Sequence, residues 1–429
     1  MSETGGVSER AGVSERGGVS ESGRVSERGR GSERGGVSDR GGVSELGSVR
    51  LGDGPAEAPA SSQGGASEVQ SAAARGPEFG APRAKISARG VPPVWGAAAV
   101  TFLLAALLVG LGTGPIAIGW GAIAQSALAH LPLLHVHSPL GALQSAIVWQ
   151  IRAPRVALGA LVGGMLAVAG ASYQGVFRNP LADPYLLGVA AGAGLGATLA
   201  IAYASAGASG GELLPAAAFC GAMVAVAAAY MLGRSVGWGR TTVTLVLAGV
   251  TVAAFMTAVQ TFVQQQHSQT LLQVYTWILG GLTGASWHDF VLVAPYVGVS
   301  AAILVAHRRV LDVLSLGDEE AASLGLNVRR VRLAIVGAAT CGTAAAVAVS
   351  GLIGFVGIIV PHAIRLAISS SYRAIVPLSL ALGAGFLVLA DVLARTVMSP
   401  AELPLGVVTA FFGAPFFAVV LRTSRRMGT

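Results

Sequence analysis

Two arginines three residues apart, Arg152 and Arg155, and a third far along the chain, Arg395, are the residues best suited to binding chemistry. A guanidinium is permanently charged and offers a planar fork of donors, so a group of them is suited to gripping carboxylates. At a three-residue spacing on a helix, Arg152 and Arg155 project from neighbouring positions of one face. Read as the opening residues of a helix, they sit where the macrodipole disfavours cations by about 0.3–1 kcal/mol each. An external acidic partner would offset that penalty; snorkelling toward lipid phosphates is the alternative reading. Arg395 lies near the outer C-terminal end of its helix, where a cation suits the dipole.

A second constellation is the stretch from Leu311 to Asn327, LDVLSLGDEEAASLGLN. Ser315 followed three residues later by Asp318 fits an N-cap with an acidic first turn, and Gly325 fits a helix stop. The segment predicts a helix of two or three turns, with Leu316, Leu324 and Leu326 as apolar contacts. Docking into a groove of a cytoplasmic protein is the functional reading, and a structural interface helix the bland one. A third is RNPLADP at Arg178 to Pro184, where two prolines force a stiff, extended connection. It would hold Asn179 and Leu181 near the inner mouth of a pathway, or serve only as a tight turn. His130, His135 and His137 could contact a metal or haem, but with no acidic or Cys partner nearby they read as solvated loop residues. Cys220 and Cys341 fall inside apolar runs and read as small packing residues, so no metal or disulfide is expected. No Walker A pattern is present, which excludes nucleotide hydrolysis by that route.

The elements that must position these residues follow from composition. With 53% hydrophobic and 11% charged residues, the 429-residue chain is not an ordinary soluble domain. Apolar stretches of about 17 to 22 residues, enough to cross roughly 30 Å of hydrocarbon as helices, recur from Val94. No alternating strands suggest a barrel. The expected crossings are 94–112, 154–174, 185–205, 214–233, 242–262, 289–306, 332–350, 352–368, 374–392 and 404–421. Both termini then lie inside. The gap from Thr113 to Gln150 is expected to hold a short surface helix, and Val274 to Leu282 a re-entrant or interfacial piece. The 60 glycines and few aromatics point to close helix packing through small residues.

Threaded this way, Arg178, Arg234, Arg240, Arg308, Arg309, Arg329, Arg330, Arg332, Arg365, Arg373, Arg422, Arg425 and Arg426 share one side, the cytoplasmic one by the positive-inside rule. Arg152, Arg155 and Arg395 alone face out. The net charge of +7 arises from this part, because residues 1–93 carry twelve basic and twelve acidic side chains. The basic balance therefore implies no nucleic acid. Intramembrane acids are scarce, Asp391 being the main candidate, so the chain reads as a conduit driven from elsewhere rather than an ion-coupled secondary transporter. Residues 5–46 repeat a six-residue unit, GGVSER and its variants, with at most one apolar side chain per copy. That is too little to offset ordering entropy, so residues 1–93 read as a disordered low-complexity extension. An initiation codon assigned upstream of the true one is the alternative.

The motifs RAPR at 152–155, QGVFRNPLADPYLLG at 174–188, SLGDEEAASLGLNVRRVRL at 315–333, GLIGFVGIIVPHAIR at 351–365 and ELPLGVVTAFFGAPFF at 402–417 resemble the FecCD-type permeases. These are the membrane subunits of ABC importers for cobalamin, ferric siderophores and haem. The resemblance covers about 91–426 and implies a permease domain over 94–426. The implied fold is an all-α polytopic membrane protein with about ten transmembrane helices per subunit, the type II ABC importer permease fold. It implies a homodimer in the bacterial cytoplasmic (inner) membrane, a cytoplasmic ATPase dimer and an external substrate-binding protein. No cofactor is expected on this chain, ATP and Mg being held by the ATPase, and no catalysis. By position, Arg152, Arg155 and Arg395 match the arginines that receive the binding protein. Ser315, Leu316, Gly317, Asp318, Glu319, Ala322, Leu324 and Gly325 match the coupling helices that seat in the ATPase. Asn179, Leu181 and Thr242 match the cytoplasmic gate, although GRTTVTLVLAG around Thr242 departs from the pattern. The resemblance implies alternating access driven by ATP binding in the partner, and leaves siderophore, haem and cobalamin open as substrates.

Overall fold

The structure is a computed structural model that describes residues 90–114, 116, 118–129, 138–204, 212–235 and 242–426; the side chains of 242, 243, 421 and 423–426 lie outside the description. The hexapeptide repeat, the linker to residue 89, Arg240 and the loop histidines His130, His135 and His137 also lie outside it. The described residues are helical, with no strand among them. In chain order they form α1 (Pro93–Gly112), α2 (Trp120–Ala129), α3 (Ala142–Phe177), α4 (Val189–Tyr203), α5 (Leu213–Ser235), α6 (Thr242–Gln266) and α7 (Leu271–Ile278). They continue with α8 (Trp287–Ala306), α9 (Arg308–Leu314), α10 (Asp318–Ser323), α11 (Val328–Ser350), α12 (Val356–Ala367), α13 (Tyr372–Thr396) and α14 (Leu405–Arg426).

Seven of these helices are long and apolar enough to span a membrane, and three shorter apolar ones, in α4, α12 and α14, fall where the other three expected crossings lie. Two of the short helices start late for visible reasons. Gly188, at φ 85, delays α4 to Val189, and the unwound stretch from Gly351 (φ 65) to Phe355 (φ 69) delays α12 to Val356. That unwound backbone is not left unpaired. The Tyr185 hydroxyl donates to the Ile353 carbonyl (3.0 Å) and accepts from the Ile353 N–H (3.2 Å), while the Gly281 N–H donates to the Ser350 carbonyl (2.8 Å). Such pairing is required of any irregular backbone inside a membrane.

The core centres on α3, buried along almost its whole length from Ala153 to Phe177 and enclosed by α8, α11, α12 and α13. Small residues permit the approach. A side chain at Gly163 would strike the Gly383 carbonyl and Leu387 of α13, and one at Gly170 would strike Gly357 of α12. Where lipid removes the hydrophobic drive between helices, such backbone proximity supplies the dispersion contact that holds them. The Tyr173 hydroxyl, 2.7 Å from Thr340 Oγ1, ties α3 to α11.

Candidate functional site

The three arginines expected to face outward converge on one cluster. Arg155 donates through Nε and Nη2 to Asp391 of α13 (2.9–3.1 Å), and through Nη1 and Nη2 to Glu402, in the α13–α14 loop (2.8 and 3.0 Å). Arg395, one turn beyond Asp391, lies 3.5 Å from the same carboxylate and donates to the Gly110 carbonyl at 2.6 Å. Arg152 donates to the carbonyls of Leu111 (3.0 Å), Gly112 (3.2 Å) and Ile116 (2.6 Å). Two of the three guanidiniums therefore cap the C-terminus of α1, where unpaired carbonyls and the negative end of the dipole favour them.

This geometry corrects the sequence reading on one point. Arg152 and Arg155 are not at a helix N-terminus. α3 begins at Ala142 and runs on through a π-helical segment, Ile147–Arg152, so both arginines lie within a continuous helical run and no macrodipole penalty applies. Nor do the side chains stand free: Arg152 and Arg395 are 4% and 8% exposed, and Arg155 meets solvent beside Glu402, whose side chain is 33% exposed. Asp391, expected to be the main buried acid, is neutralised by Arg155 and Arg395. Sequence reasoning passed over Glu402. Its carboxylate also accepts from Thr283 Oγ1 at 2.7 Å, and the bond from Arg155 holds it below the usual carboxylate range. The signal that could have found it was the first residue of the ELPLG motif, an acid in the loop expected to share a side with the three arginines.

At the other end of α3, Arg178 and Arg332 of α11 both bind Asp318, at 3.2 and 2.8 Å. Arg155 and Arg178 are separated by about 35 Å of helix, at 1.5 Å per residue. Asp318 opens α10 as expected, but Ser315 is not its cap. Ser315 closes α9 and donates to the Asp312 carbonyl; the N-cap of α10 is Gly317, where a side chain would run into the Glu320 carboxylate. A second acid lies between, and α9 is fixed by it. Asp312 accepts from Ser371 Oγ (2.8 Å) and the Tyr372 N–H (2.6 Å) at the start of α13, where a carboxylate favours the helix dipole. Gly325, at φ 82, ends α10, with bonds from the Leu326 N–H to the Ala321 carbonyl and from the Gly325 N–H to the Ala322 carbonyl. Leu316 and Leu324, 53% and 65% exposed, stand out from this segment together with Glu319 and Ala322.

Asn179 and Leu181 occupy the exposed turn after α3. Asn179 Oδ1 accepts from the Leu181 N–H at 2.9 Å, an Asx turn that leaves the Leu181 side chain outward. Thr242 begins α6, and its side chain lies outside the description. Among the described residues no cluster of His, Cys, Asp and Glu could hold a metal ion.

Comparison with known proteins agrees with this architecture. A model of the FecCD transport family matches residues 102–423. The chain is 39% identical over 366 residues to the cobalamin import system permease protein of Halobacterium salinarum, covering 78% of this chain and 97% of that one. It is 38% identical over 286 residues to the hemin transport system permease protein of Yersinia pestis, covering 65% and 84%. A solved structure described as an inward-facing conformation of a metal-chelate type ABC transporter superposes with a TM-score of 0.68 at 25% identity, covering 77% of this chain and all of that one.

Proposed function

Because the chain belongs to the FecCD transport family, we propose that it works as two copies around a central pathway, loaded from outside by a binding protein and driven from the cytoplasm by an ATPase pair. The chain is the permease subunit of an ABC importer, a multi-pass protein of the cytoplasmic membrane, for cargo of the cobalamin, haem or iron-chelate kind. Both termini are assigned to the cytoplasm, and ATP with its Mg to the partner.

The observation that carries the reading is the pair of ionic clusters at opposite ends of α3 and α13. Among the described residues the outer one holds Arg152, Arg155 and Arg395 with the carboxylates of Asp391 and Glu402, a formal surplus of one positive charge. Arg155 is the member within reach of an incoming carboxylate, because Glu402 beside it is partly exposed. Docking then proceeds by exchange: the binding protein's carboxylate takes the place of Glu402 on the Arg155 fork. Asp391 keeps Arg155 in position meanwhile. Glu402 sits on the loop leading into α14, where the N–H groups of Leu405 and Gly406 are bonded to the carbonyls of Gly280 and Leu279 after α7. Release of Glu402 would also give up its bond from Thr283, the side-chain tie between this loop and the segment after α7.

The inner cluster supports the coupling role of Ser315 to Gly325. Leu316 and Leu324 present apolar contacts, while Asp318 and Asp312 tie the segment to α3, α11 and α13. Asn179 and Leu181, in the adjoining exposed turn, are the gate residues of this reading, with Thr242 as the third. Reconstitution tests the whole reading. Uptake into proteoliposomes is expected only with binding protein, ATPase and ATP together; uptake by the purified chain alone on an ion gradient would establish a secondary transporter instead.

A further inference from the structure

α6 carries an uncharged hydrogen-bonding stripe. Thr257, Gln260, Thr261 and Gln264 follow the three- and four-residue spacing of a helix face and line a cavity of about 820 Å³, completed by Tyr275 and Leu272 of α7 and by the start of α4. None of the cavity's lining residues is Asp, Glu, Lys, Arg or His. Gln260 is 8% exposed, its amide lies against Gly194, and it has no hydrogen-bond partner among the described residues. Neither amide atom is sealed off from the cavity, so Gln260 offers both a donor and an acceptor to whatever fills it. A side chain held this firmly, with its amide facing an open volume, is built to bond a polar group inside that volume.

Resting on the importer reading above, we infer that this wall selects cargo within the permease itself, admitting bulky net-neutral ligands rimmed with carboxamides or hydroxyls and retarding carboxylate-bearing ones. A carboxamide both donates and accepts, so two Gln side chains pair reciprocally with amides on a ligand. The Thr257 hydroxyl and the Tyr275 phenol accept and donate in the same way, while Thr261, whose proton goes to the Thr257 carbonyl (2.9 Å), accepts. A carboxylate entering the same volume would be stripped of water with no cation to receive it. The apolar remainder of the wall suits the body of a large macrocycle.

The test uses the assembled permease–ATPase complex in nanodiscs without binding protein, so that selection upstream is removed. The probes are cyanocobalamin, its derivative with one propionamide hydrolysed to the acid, and hemin, each followed by equilibrium dialysis. The amide form is expected to bind roughly tenfold more tightly than the monocarboxylate, and Gln260→Leu to weaken it roughly fivefold, the loss of one neutral hydrogen bond. Gln264→Arg should reverse the preference toward the monocarboxylate and hemin. Equal or tighter binding of the monocarboxylate, failure of the amide form to bind, or a preference indifferent to both substitutions overturns the inference. ATPase stimulation by the binding protein, measured on the same samples, reports the importer reading separately and is expected to persist in every variant.

Discussion

Glu402→Gln is the sharpest probe of the outer cluster, because it removes the charge that competes for Arg155 and little else. The neutral amide keeps an acceptor for Thr283 and for the guanidinium, so the loop geometry of 2.7–3.0 Å contacts can persist. With Glu402 one-third exposed, its pair with Arg155 contributes about 0.2–1 kcal/mol. If a docking carboxylate must displace it, that energy is returned to the encounter, and the binding protein should bind the permease–ATPase complex roughly 1.5- to 5-fold more tightly. Surface plasmon resonance on nanodisc-held complex at low salt measures this. The difference should shrink in 0.5 M salt, where the screening length falls to about 4 Å. Weaker docking would mean that Glu402 itself contacts the partner, and unchanged docking at low salt would mean that Arg155 is not the grip; either refutes the exchange. Reversing Arg155 to Glu is a poorer experiment. It would set a third carboxylate beside Asp391 and Glu402, at a cost of about 3–5 kcal/mol for a broken buried pair, and the resulting misfolding would say nothing about docking.

The other expectations are more local. Asp391→Asn leaves Arg155 and Arg395 without their shared buried counter-charge and should destabilise the chain by about 3 kcal/mol, read as a lowered melting temperature in detergent; an unshifted melt would show that the cluster is not structural. Leu324→Ala should weaken ATPase association roughly tenfold by removing an exposed apolar anchor, while Leu199→Ala, exposed on α4, should not; equal effects would displace the coupling assignment. Since Glu402 titrates below the ordinary carboxylate value of about 4.3, its ion pair is fully present above that value and is lost only as pH falls through the lowered one. Docking should therefore show no Glu402-dependent step between pH 6 and 8. A midpoint in that range that disappears in Glu402→Gln would contradict the pairing.

The ten apolar runs were legible because hydropathy is a local property, and nine of the ten expected crossings lie within or against a helix to within four residues at their starts. What failed was also local in origin. The sequence reading starts this crossing at 154 because Gln144, Ser145, Gln150 and Arg152 interrupt the apolar pattern, although the helix runs through them from Ala142. The unwound stretch before α12 was invisible because Leu352, Ile353 and Phe355 are as apolar as the helix they precede; only Gly351 and Gly354 hinted at it. The site was legible in its arginines and not in their partners. Arg155 lies 236 residues from Asp391 and 247 from Glu402, separations that no spacing rule reaches.

α3 and α13 have in common that each is anchored by charge at both ends. α3 carries Arg155 toward one end and reaches Asp318 through Arg178 at the other; α13 carries Asp391 and Arg395 toward one end and caps on Asp312 at the other. Between the ends, Gly163 and Gly383 bring the two backbones together, and Gly164 packs its backbone against the Leu380 carbonyl. A contact built from backbone atoms has no side-chain rotamers to absorb a push, and packed interiors are barely compressible. The pair should therefore move as one body, and a displacement begun at Glu402 would reach the coupling segment as rotation or translation rather than bending. The compliant parts lie to the side. α12 is preceded by the unwound Gly351–Phe355 stretch and meets α3 through Gly170 and through Gln174, which donates to the Gly357 carbonyl (3.3 Å) and accepts from Arg365 (3.0 Å). Arg365 also donates to the Tyr372 hydroxyl of α13 (3.3 Å), so one guanidinium of α12 holds both members of the rigid pair, which makes Arg365, with Gln174 and Tyr372, the contact at which motion of the one must become motion of the other.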